Sequence, residues 1–282
     1  MKRLNTNTKK GGFIKHLIEA PYLLWSALFI IVPLILVAYY AFTDRGGNFT
    51  FENVTQLQGY TTIILRSIWF GIIATGICLL IAYPIAYIIS QSKAKTQSVL
   101  IMLVMLPMWM NFLLRTYSLM VLLEQTGIIN TLLSKIGLGP YQMINTSGAV
   151  ILGMVYNFLP YMILPLYSIM TKIDKSVIEA AQDLGGNKLQ VLSKVIIPQS
   201  IPGIVSGITM VFVPSVSTFY ISQKLGGGKF TLIGDVIEMQ FKTADNYNLG
   251  AAISLVLMVI IIISLAVMNH FADDDEEGGI VI

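Results

Sequence analysis

The segment Glu179-Ala180-Ala181-Gln182-Asp183-Leu184-Gly185, which continues through Gly186 to Ile197-Pro198, is a short polar island in an otherwise apolar chain. Long stretches with almost no charged residue flank it on both sides. Because such stretches cross a bilayer as helices, the polar island between them predicts a loop that is exposed at one membrane face.

The 282-residue chain has too little polar surface to cover a soluble globule. Hydrophobic residues make up 55% of it, charged residues only 12%, and the mean hydropathy is +0.74. Six apolar stretches are each long enough to cross the ~30 Å hydrocarbon core as a helix. These stretches are residues 21–42, 67–89, 99–123, 149–169, 201–222 and 249–268. We therefore expect an all-α membrane protein with six transmembrane helices.

The distribution of lysine and arginine predicts that both termini lie in the cytoplasm. The N-terminal segment and the loops at 90–98 and 170–200 together hold eleven basic residues, whereas the three alternate loops hold six. Basic residues accumulate in the cytoplasmic loops of membrane proteins. No cleavage-site pattern follows a short apolar core near the N-terminus, so we expect the first apolar stretch to be retained as an anchor.

We expect one membrane domain with short polar ends, since no repeat and no long polar linker divides the chain. Residues 1–20 form a cytoplasmic segment, in which apolar residues between positions 13 and 18 predict a short interfacial helix. Residues 21–271 form the six-helix domain with its cytoplasmic loop at 171–200. Residues 272–282 form an acidic cytoplasmic tail.

Two short helices are predicted within the polar loop. Ser176-Val177-Ile178-Glu179 has the form of a capping box, so the first helix should begin near Val177. Gly185-Gly186 supplies the left-handed residue that ends it, and Asn187 can cap a second helix running to Pro198. Because the first helix is barely two turns long, it needs a surface on which to dock. A partner protein is the natural candidate.

Apolar residues at helical spacing also predict helices at the outer surface, near residues 128–136 and 232–241. Asp235 and Glu238 lie one turn apart on the polar side of the second of these helices. Four acidic residues on this side could attract a polycation or contact a receptor, although surface solvation is the simpler role for each. They are Glu124, Asp235, Glu238 and Asp245.

The sequence carries no pattern for catalysis, metal binding or ATP hydrolysis. Its one cysteine, Cys78, lies within an apolar stretch, and its two histidines, His16 and His270, lie at opposite ends of the chain. The run Gly226-Gly227-Gly228-Lys229-Phe230 differs from a phosphate-binding loop in spacing and lacks the hydroxyl residue after the lysine. We expect no enzymatic activity, no cofactor and no metal, and an ATP-driven step would need a separate subunit.

The polar loop resembles the hallmark loop of the membrane-spanning permease subunits of ATP-binding-cassette (ABC) importers. That loop reads Glu-Ala-Ala, three residues, Gly, nine residues, then Ile-x-Leu-Pro. This chain has Glu179-Ala180-Ala181, Gly185 and, after nine residues, Val195-Ile196-Ile197-Pro198. The two departures keep apolar bulk. The resemblance, together with the position of the loop between the fourth and fifth spans, implies the type I ABC importer permease fold.

Three longer runs resemble, within that family, the first permease subunit of spermidine/putrescine importers. These runs are residues 179–185 with 188–190, residues 153–160 and residues 233–241. The resemblance covers nearly the whole chain. It implies that the transported solute is a polyamine.

The resemblance also implies an assembly. Such a permease forms half of a heterodimeric pore with a second permease, and works with two copies of an ATP-binding subunit and an extracytoplasmic substrate-binding protein. The first loop helix is then expected to sit in a groove of the ATPase, with apolar residues packed inside and two acidic residues directed toward basic groups. The coupling residues implied are Val177, Glu179, Ala180, Ala181, Asp183, Leu184 and Gly185.

Hydroxyl, amide and aromatic groups close to prolines are the candidate lining of a translocation path. An ammonium group that leaves water requires hydroxyls, amide oxygens or aromatic faces in exchange. The alternative is that the hydroxyls bond between helices and the tyrosines belong to an interfacial belt. The candidates are Tyr156, Asn157, Tyr161, Ser217, Thr218, Phe219 and Tyr220.

Arg115 is the only charged residue inside a predicted span. A charge there costs about 2.5–3.5 kcal/mol on insertion scales, so we expect it to be paired inside the protein.

Other functions stay open at this point. Related permeases carry iron, phosphate or phosphonates, which composition does not separate from polyamines. A secondary carrier would lack the Asp, Glu or His that a proton relay uses within its spans. A channel would need a ring built from several identical copies, which one sequence does not exclude.

Overall fold

The computed structural model describes the backbone of residues 21–277 and the side chains of residues 21–268. Eleven helices make up most of this part of the chain. They are α1 Pro21–Ala41, α2 Thr61–Ser90, α3 Ala94–Met105, α4 Phe112–Leu123, α5 Ile128–Lys135, α6 Ser147–Met170, α7 Lys175–Asp183, α8 Lys188–Ser217, α9 Tyr220–Leu225, α10 Ile233–Lys242 and α11 Tyr247–Glu277. Short helical turns at Glu52–Thr55 and Gln56–Tyr60 lead into α2. The interfacial helix predicted before residue 20, and the side chains of the acidic tail, lie outside the described residues.

The core is formed by α2, α6 and α8, which pack against one another along their lengths. On α2 the contact face consists of small residues such as Ala74, Cys78 and Ala82, all fully buried. On α8, Gly203 and Gly207 lie one turn apart, and a Cβ at Gly207 would come within 2.6 Å of the Met162 sulfur on α6. Small residues let helix backbones approach closely in a membrane, where dispersion replaces the hydrophobic effect as the packing force.

Helix α11 joins this core to the N-terminal helix. It packs against α8, α10 and α1, and its contact with α1 is made near one end, where Ala41 meets Ala251 and Ala252. The rest of α1 has little cover: Leu24 is 71% exposed and Ile35 is 60% exposed. An apolar helix with such exposure is suited to lipid or to another membrane subunit.

The prediction that residues 99–123 cross the membrane as one continuous helix was wrong. A 3-10 turn at Leu106–Trp109 follows α3, and the chain then bends by 92° before α4. Pro107 provides the reason, because it has no N–H and its ring disrupts a helical path. Asn111 caps the new helix by accepting the N–H of Leu113 at 2.8 Å. Five described helices are long and apolar enough to cross a membrane, and six spans result when this bent pair counts as one.

The fifth predicted span also differs from the structure at both ends. Helix α8 begins at Lys188 rather than near residue 201, and ends at Ser217 rather than at residue 222. The early end coincides with the start of α10, where a Cβ on Gly234 would lie 2.5 Å from the Ser217 carbonyl oxygen. Helix α10 is fixed there by its Ile233 N–H, which donates to Ser67 Oγ on α2 at 2.8 Å. The two helices predicted near residues 128–136 and 232–241 are confirmed as α5 and α10.

Candidate coupling loop and translocation path

The loop between α6 and α8 folds as the sequence predicted, into a helix, a glycine turn and a second helix. The predicted cap of the first helix was wrong, however. Asp174, and not Ser176, is the N-cap, and its carboxylate accepts the Ser176 N–H at 2.9 Å. This hydrogen bond holds the pKa of Asp174 below its ordinary value. Aspartate caps as well as serine does, and a cap two residues earlier lengthens the helix.

The turn that ends α7 requires both of its glycines. The Gly186 N–H donates to the Ala181 carbonyl at 3.1 Å and the Gly185 N–H to the Gln182 carbonyl at 2.9 Å, which is a Schellman motif. Gly185 has φ +85°, which favours glycine, as predicted. A Cβ at Gly186 would lie 2.6 Å from the Ala181 oxygen.

The second loop helix is the beginning of α8 itself. Asn187 caps it, as predicted, and forms a reciprocal capping box with Gln190, each hydrogen bond being 2.9 Å long. The helix then continues for 30 residues to Ser217, through one wider turn at Leu192–Ile196. The second loop helix is therefore continuous with a helix of the core.

The surface of the loop is exposed and partly apolar. No residue of α7 is buried, and Leu184 and Leu189 are 89% and 75% exposed. A cleft of about 410 Å³ separates the end of α7 from the start of α8. Its lining consists of Ala181, Leu184, Gly185, Gly186, Gln190, Val191, Lys194 and Val195. Exposed apolar residues grouped at one end of a helical protein indicate a protein contact.

The seven predicted coupling residues divide between two faces of α7 and its turn. The apolar members Val177, Ala180, Ala181 and Leu184 fall on one face at helical spacing, whereas Glu179 and Asp183 fall on the other. Gly185 forms the turn itself.

Arg115 is 4% exposed and is paired inside the protein, as predicted. Its Nε donates to Asn157 Oδ1 at 2.7 Å, and its Nη1 donates at 2.8 Å to the Pro107 carbonyl at the bend between α3 and α4. Both acceptors are neutral oxygens, so these contacts solvate the guanidinium without neutralising it. The Asn157 amide group also donates to Thr116 Oγ1 at 3.2 Å and to the Gly153 carbonyl at 2.8 Å. Thr116 was not selected from the sequence, because a single hydroxyl residue on an apolar helix forms no pattern.

Asn157 therefore lies among the packed helices and not on an open face, although the sequence analysis placed it with the path residues. Its neighbour Tyr156 is 42% exposed, with the Arg115 guanidinium carbon 6.0 Å from its ring centroid. Tyr161 is 37% exposed. Both tyrosines are thus exposed positions on α6, which is the most buried of the long helices.

The remaining path candidates surround the break between α8 and α9. The Ser217 hydroxyl donates to the Val213 carbonyl of its own helix at 3.0 Å, Thr218 is buried, and Phe219 is 39% exposed. Tyr220 reaches α4, where its ring centroid lies 6.3 Å from that of Phe112. Phe112 in turn contacts Phe158 of α6, which contacts Tyr161. An aromatic cluster thus connects the two groups of candidates through residues that the sequence analysis did not select.

An apolar helical core with several helices of membrane-spanning length, one bent span and an exposed loop defines a multi-pass membrane protein. A family model described as "Binding-protein-dependent transport system inner membrane component" matches residues 82–274. The chain belongs to this family and is a permease subunit of an ABC importer.

Known relatives agree with this placement. The chain is 42% identical over 246 residues to the spermidine/putrescine transport system permease protein PotB of Haemophilus influenzae, covering 84% of this chain and 86% of that protein. It is 37% identical over 253 residues to PotB of Escherichia coli, covering 86% and 92%. Among solved structures, a bacterial alginate ABC transporter in complex with a periplasmic protein bound to alginate pentasaccharide has a similar fold. Its TM-score is 0.76 at 17% identity, over 93% of this chain and 95% of that chain.

Mutation distinguishes the two candidate N-cap residues of α7, Asp174 and Ser176. Asp174→Ala should remove the hydrogen bond to Ser176 and destabilise α7 by about 1 kcal/mol, because an N-cap is lost. Ser176→Ala should have a much smaller effect, since this residue is already within the helix. Amide hydrogen exchange at residues 175–183 of the full chain measures the difference. Equal loss of protection in the two variants would contradict the assigned cap.

Asn157→Leu should destabilise the fold by about 1–3 kcal/mol, because it leaves the Arg115 Nε–H buried without an acceptor. The melting temperature of the detergent-solubilised complex measures this effect. Tyr156→Phe is the matched control on the adjacent position, and it should melt as the unmodified protein does, since it keeps the ring and removes only a hydroxyl. An unchanged melting temperature for Asn157→Leu would show that Arg115 is solvated in another way.

Proposed function

We propose that this permease imports polyamines of the spermidine/putrescine type. The observation that carries the proposal is its identity of 42% and 37%, over more than four fifths of the chain, to two permeases named for spermidine/putrescine transport. The described spans support a cationic solute in one respect. The α8–α9 break carries the half-buried Ser217 hydroxyl and the rings of Phe219 and Tyr220, and hydroxyls and aromatic faces suit an ammonium better than an anion.

The path we propose follows Tyr156 and Tyr161 of α6 and the break at Ser217, Thr218, Phe219 and Tyr220. Tyrosine and phenylalanine faces attract an ammonium by about 0.5–2 kcal/mol each, weak enough to permit passage. Asn157 would not line this path. Its Oδ1 accepts a hydrogen bond from Arg115 and so holds that residue beside Tyr156. In this arrangement two hydrogen bonds fix the guanidinium against Asn157 and the Pro107 carbonyl.

Coupling to ATP hydrolysis is proposed for α7. The loop and the outer helix α10 follow opposite ends of α8, a helix about 45 Å long at 1.5 Å per residue. With α7 in the cytoplasm and both termini on the same side, α10 faces outward. An ATP-binding subunit would cover the apolar face of Val177, Ala180, Ala181 and Leu184 and enter the adjacent cleft. Glu179 and Asp183 would meet basic groups at its rim.

The rest of the assembly follows from the same proposal. A second permease completes the pore, two copies of the ATPase bind the two coupling loops, and an extracytoplasmic binding protein delivers the substrate. The chain then consists of a cytoplasmic segment at 1–20, the permease domain at 21–271 with its loop at 171–200, and a cytoplasmic tail at 272–282.

Transport by the reconstituted importer tests the substrate. Uptake of labelled spermidine into proteoliposomes should require ATP and should be inhibited by putrescine, but not by phosphate or ferric iron. ATP-independent uptake would favour a carrier or channel. Inhibition by phosphate without inhibition by putrescine would assign the permease to an anion.

Coupling is tested at the most exposed apolar residue of the loop. Leu184→Asp should abolish most of the uptake while the ATPase subunits keep their basal hydrolysis, because a buried unpaired carboxylate would weaken the contact. Gln182→Glu adds the same charge on the opposite face of α7 and should retain uptake. Membrane insertion of both variants is checked by fractionation. Full uptake by Leu184→Asp would contradict the proposed docking face.

A further inference from the structure

Helices α9 and α10 enclose a cleft of about 350 Å³ that the proposed function has not used. Its lining consists of Gln223, Asp235, Glu238, Met239, Lys242 and Thr243. The sequence placed Asp235 on the solvated side of α10, and that expectation was wrong, because the residue is only 8% exposed. The N-terminus of α10 is pinned to α2 by the Ile233 N–H, which draws this first turn into the protein.

The Asp235 carboxylate has one occupied and one free oxygen. Oδ2 accepts the Leu232 N–H at 2.7 Å and so caps α10. Oδ1 is buried and has no hydrogen-bond partner among the described residues. The nearest hydroxyl and amide are engaged elsewhere: Ser222 Oγ donates to the Phe219 carbonyl, and Gln223 Nε2 donates to Glu238. Burial raises the pKa of this carboxyl to about 6, although the Leu232 N–H and the nearby Ser222 and Gln223 oppose the shift.

The charges along the cleft do not balance. Lys242 donates to Glu238 Oε1 at 2.6 Å, which satisfies one carboxylate and holds the pKa of Glu238 below its ordinary value. Asp235 has no cationic partner within the described part of the chain, so one negative charge along the cleft is left unbalanced there when this carboxyl is ionised. The neighbouring Lys224 is directed elsewhere, with its ammonium nitrogen 5.6 Å from the Tyr220 ring centroid. The Lys242–Glu238 pair shows that an ammonium fits this environment.

The cleft also lies beside the proposed path. Gln223 in its wall is one helical turn from Tyr220 and close to the break that contains Thr218 and Phe219. A buried oxygen without a donor is costly, and a charge-assisted hydrogen bond relieves that cost more effectively than a neutral one. We propose that this cleft, with the Asp235 carboxylate in its lining, binds a primary ammonium group at the outer mouth of the path.

The ammonium can have two sources. It is either one end of the transported amine, in which case the inference rests on the proposed function, or a lysine of the extracytoplasmic binding protein as it docks. Both supply the same donor chemistry, and two measurements on the complete reconstituted importer separate them. These are the KM for spermidine uptake and the affinity of the spermidine-loaded binding protein for the complex.

Asp235→Asn removes the charge and keeps an oxygen that can accept the Leu232 N–H. Loss of one charge-assisted hydrogen bond should raise the KM, or weaken binding-protein affinity, by about tenfold. A rise in KM at unchanged binding-protein affinity identifies the substrate as the source, and a loss of binding-protein affinity identifies the receptor. Glu52→Gln is the matched control, because Glu52 is an exposed carboxylate that lies outside the cleft lining.

A second pair of variants changes only exposed residues, so its result holds even if the fold does not tolerate a substitution at the buried Asp235. Thr243→Lys places a tethered ammonium at the exposed rim of the cleft and should reproduce the effect of Asp235→Asn by occupying the site. Ala244→Lys adds the same charge on the next residue, outside the cleft lining, and should behave as the unmodified importer.

The failures of the two proposals are distinguishable. Absence of spermidine uptake by the unmodified importer would overturn the proposed function. Normal uptake by that importer, with Asp235→Asn and Thr243→Lys both unchanged in KM and in binding-protein affinity, would overturn the ammonium site alone.

Discussion

The structure depends on one constraint, which is that every backbone N–H and C=O within a bilayer must find its partner inside the protein. Continuous helices satisfy it along α2, α6, α8 and α11. The bend between α3 and α4 is possible only because side chains replace the missing helical bonds. Asn111 accepts the N–H of Leu113 at the start of α4, and Arg115 donates to the Pro107 carbonyl on the other side of the bend. Arg115, the one charged residue within the predicted apolar segments, thus supplies one of the hydrogen bonds that the backbone needs at the bend.

The loop between α6 and α8 satisfies the same requirement with local groups alone. Asp174 closes the start of α7, the Gly185–Gly186 turn closes its end, and Asn187 with Gln190 closes the start of α8. Because the backbone is satisfied locally, the side chains of α7 are free to face outward. This short helix is joined to a core helix by the capped glycine turn, which is the connection that the proposed coupling would use. The backbone of the loop is held by caps and not by burial.

Two buried charged groups lie in different parts of the molecule. The guanidinium of Arg115 is held in the core by neutral oxygens, whereas Asp235, beside the cleft of α9 and α10, has one carboxylate oxygen without a donor among the described residues. For a cationic solute the Asp235 carboxylate would be attractive, whereas the Arg115 guanidinium keeps its charge 6.0 Å from the Tyr156 ring. The aromatic cluster of Phe112, Phe158, Tyr161 and Tyr220 occupies the region between them.

The sequence by itself determined the class of fold, the six apolar segments and the helix–turn–helix of the loop, because these depend on local properties: hydropathy, helical spacing and the needs of Gly185 and Asn187. Only the tertiary structure decided where spans break, which of two good caps is used, and that Asn157 holds Arg115 rather than facing outward. It also decided that Asp235 is buried beside a cleft. Each of these depends on groups distant in the chain, such as Ser67 against Ile233 and Gly234 against Ser217, and no local pattern records such contacts.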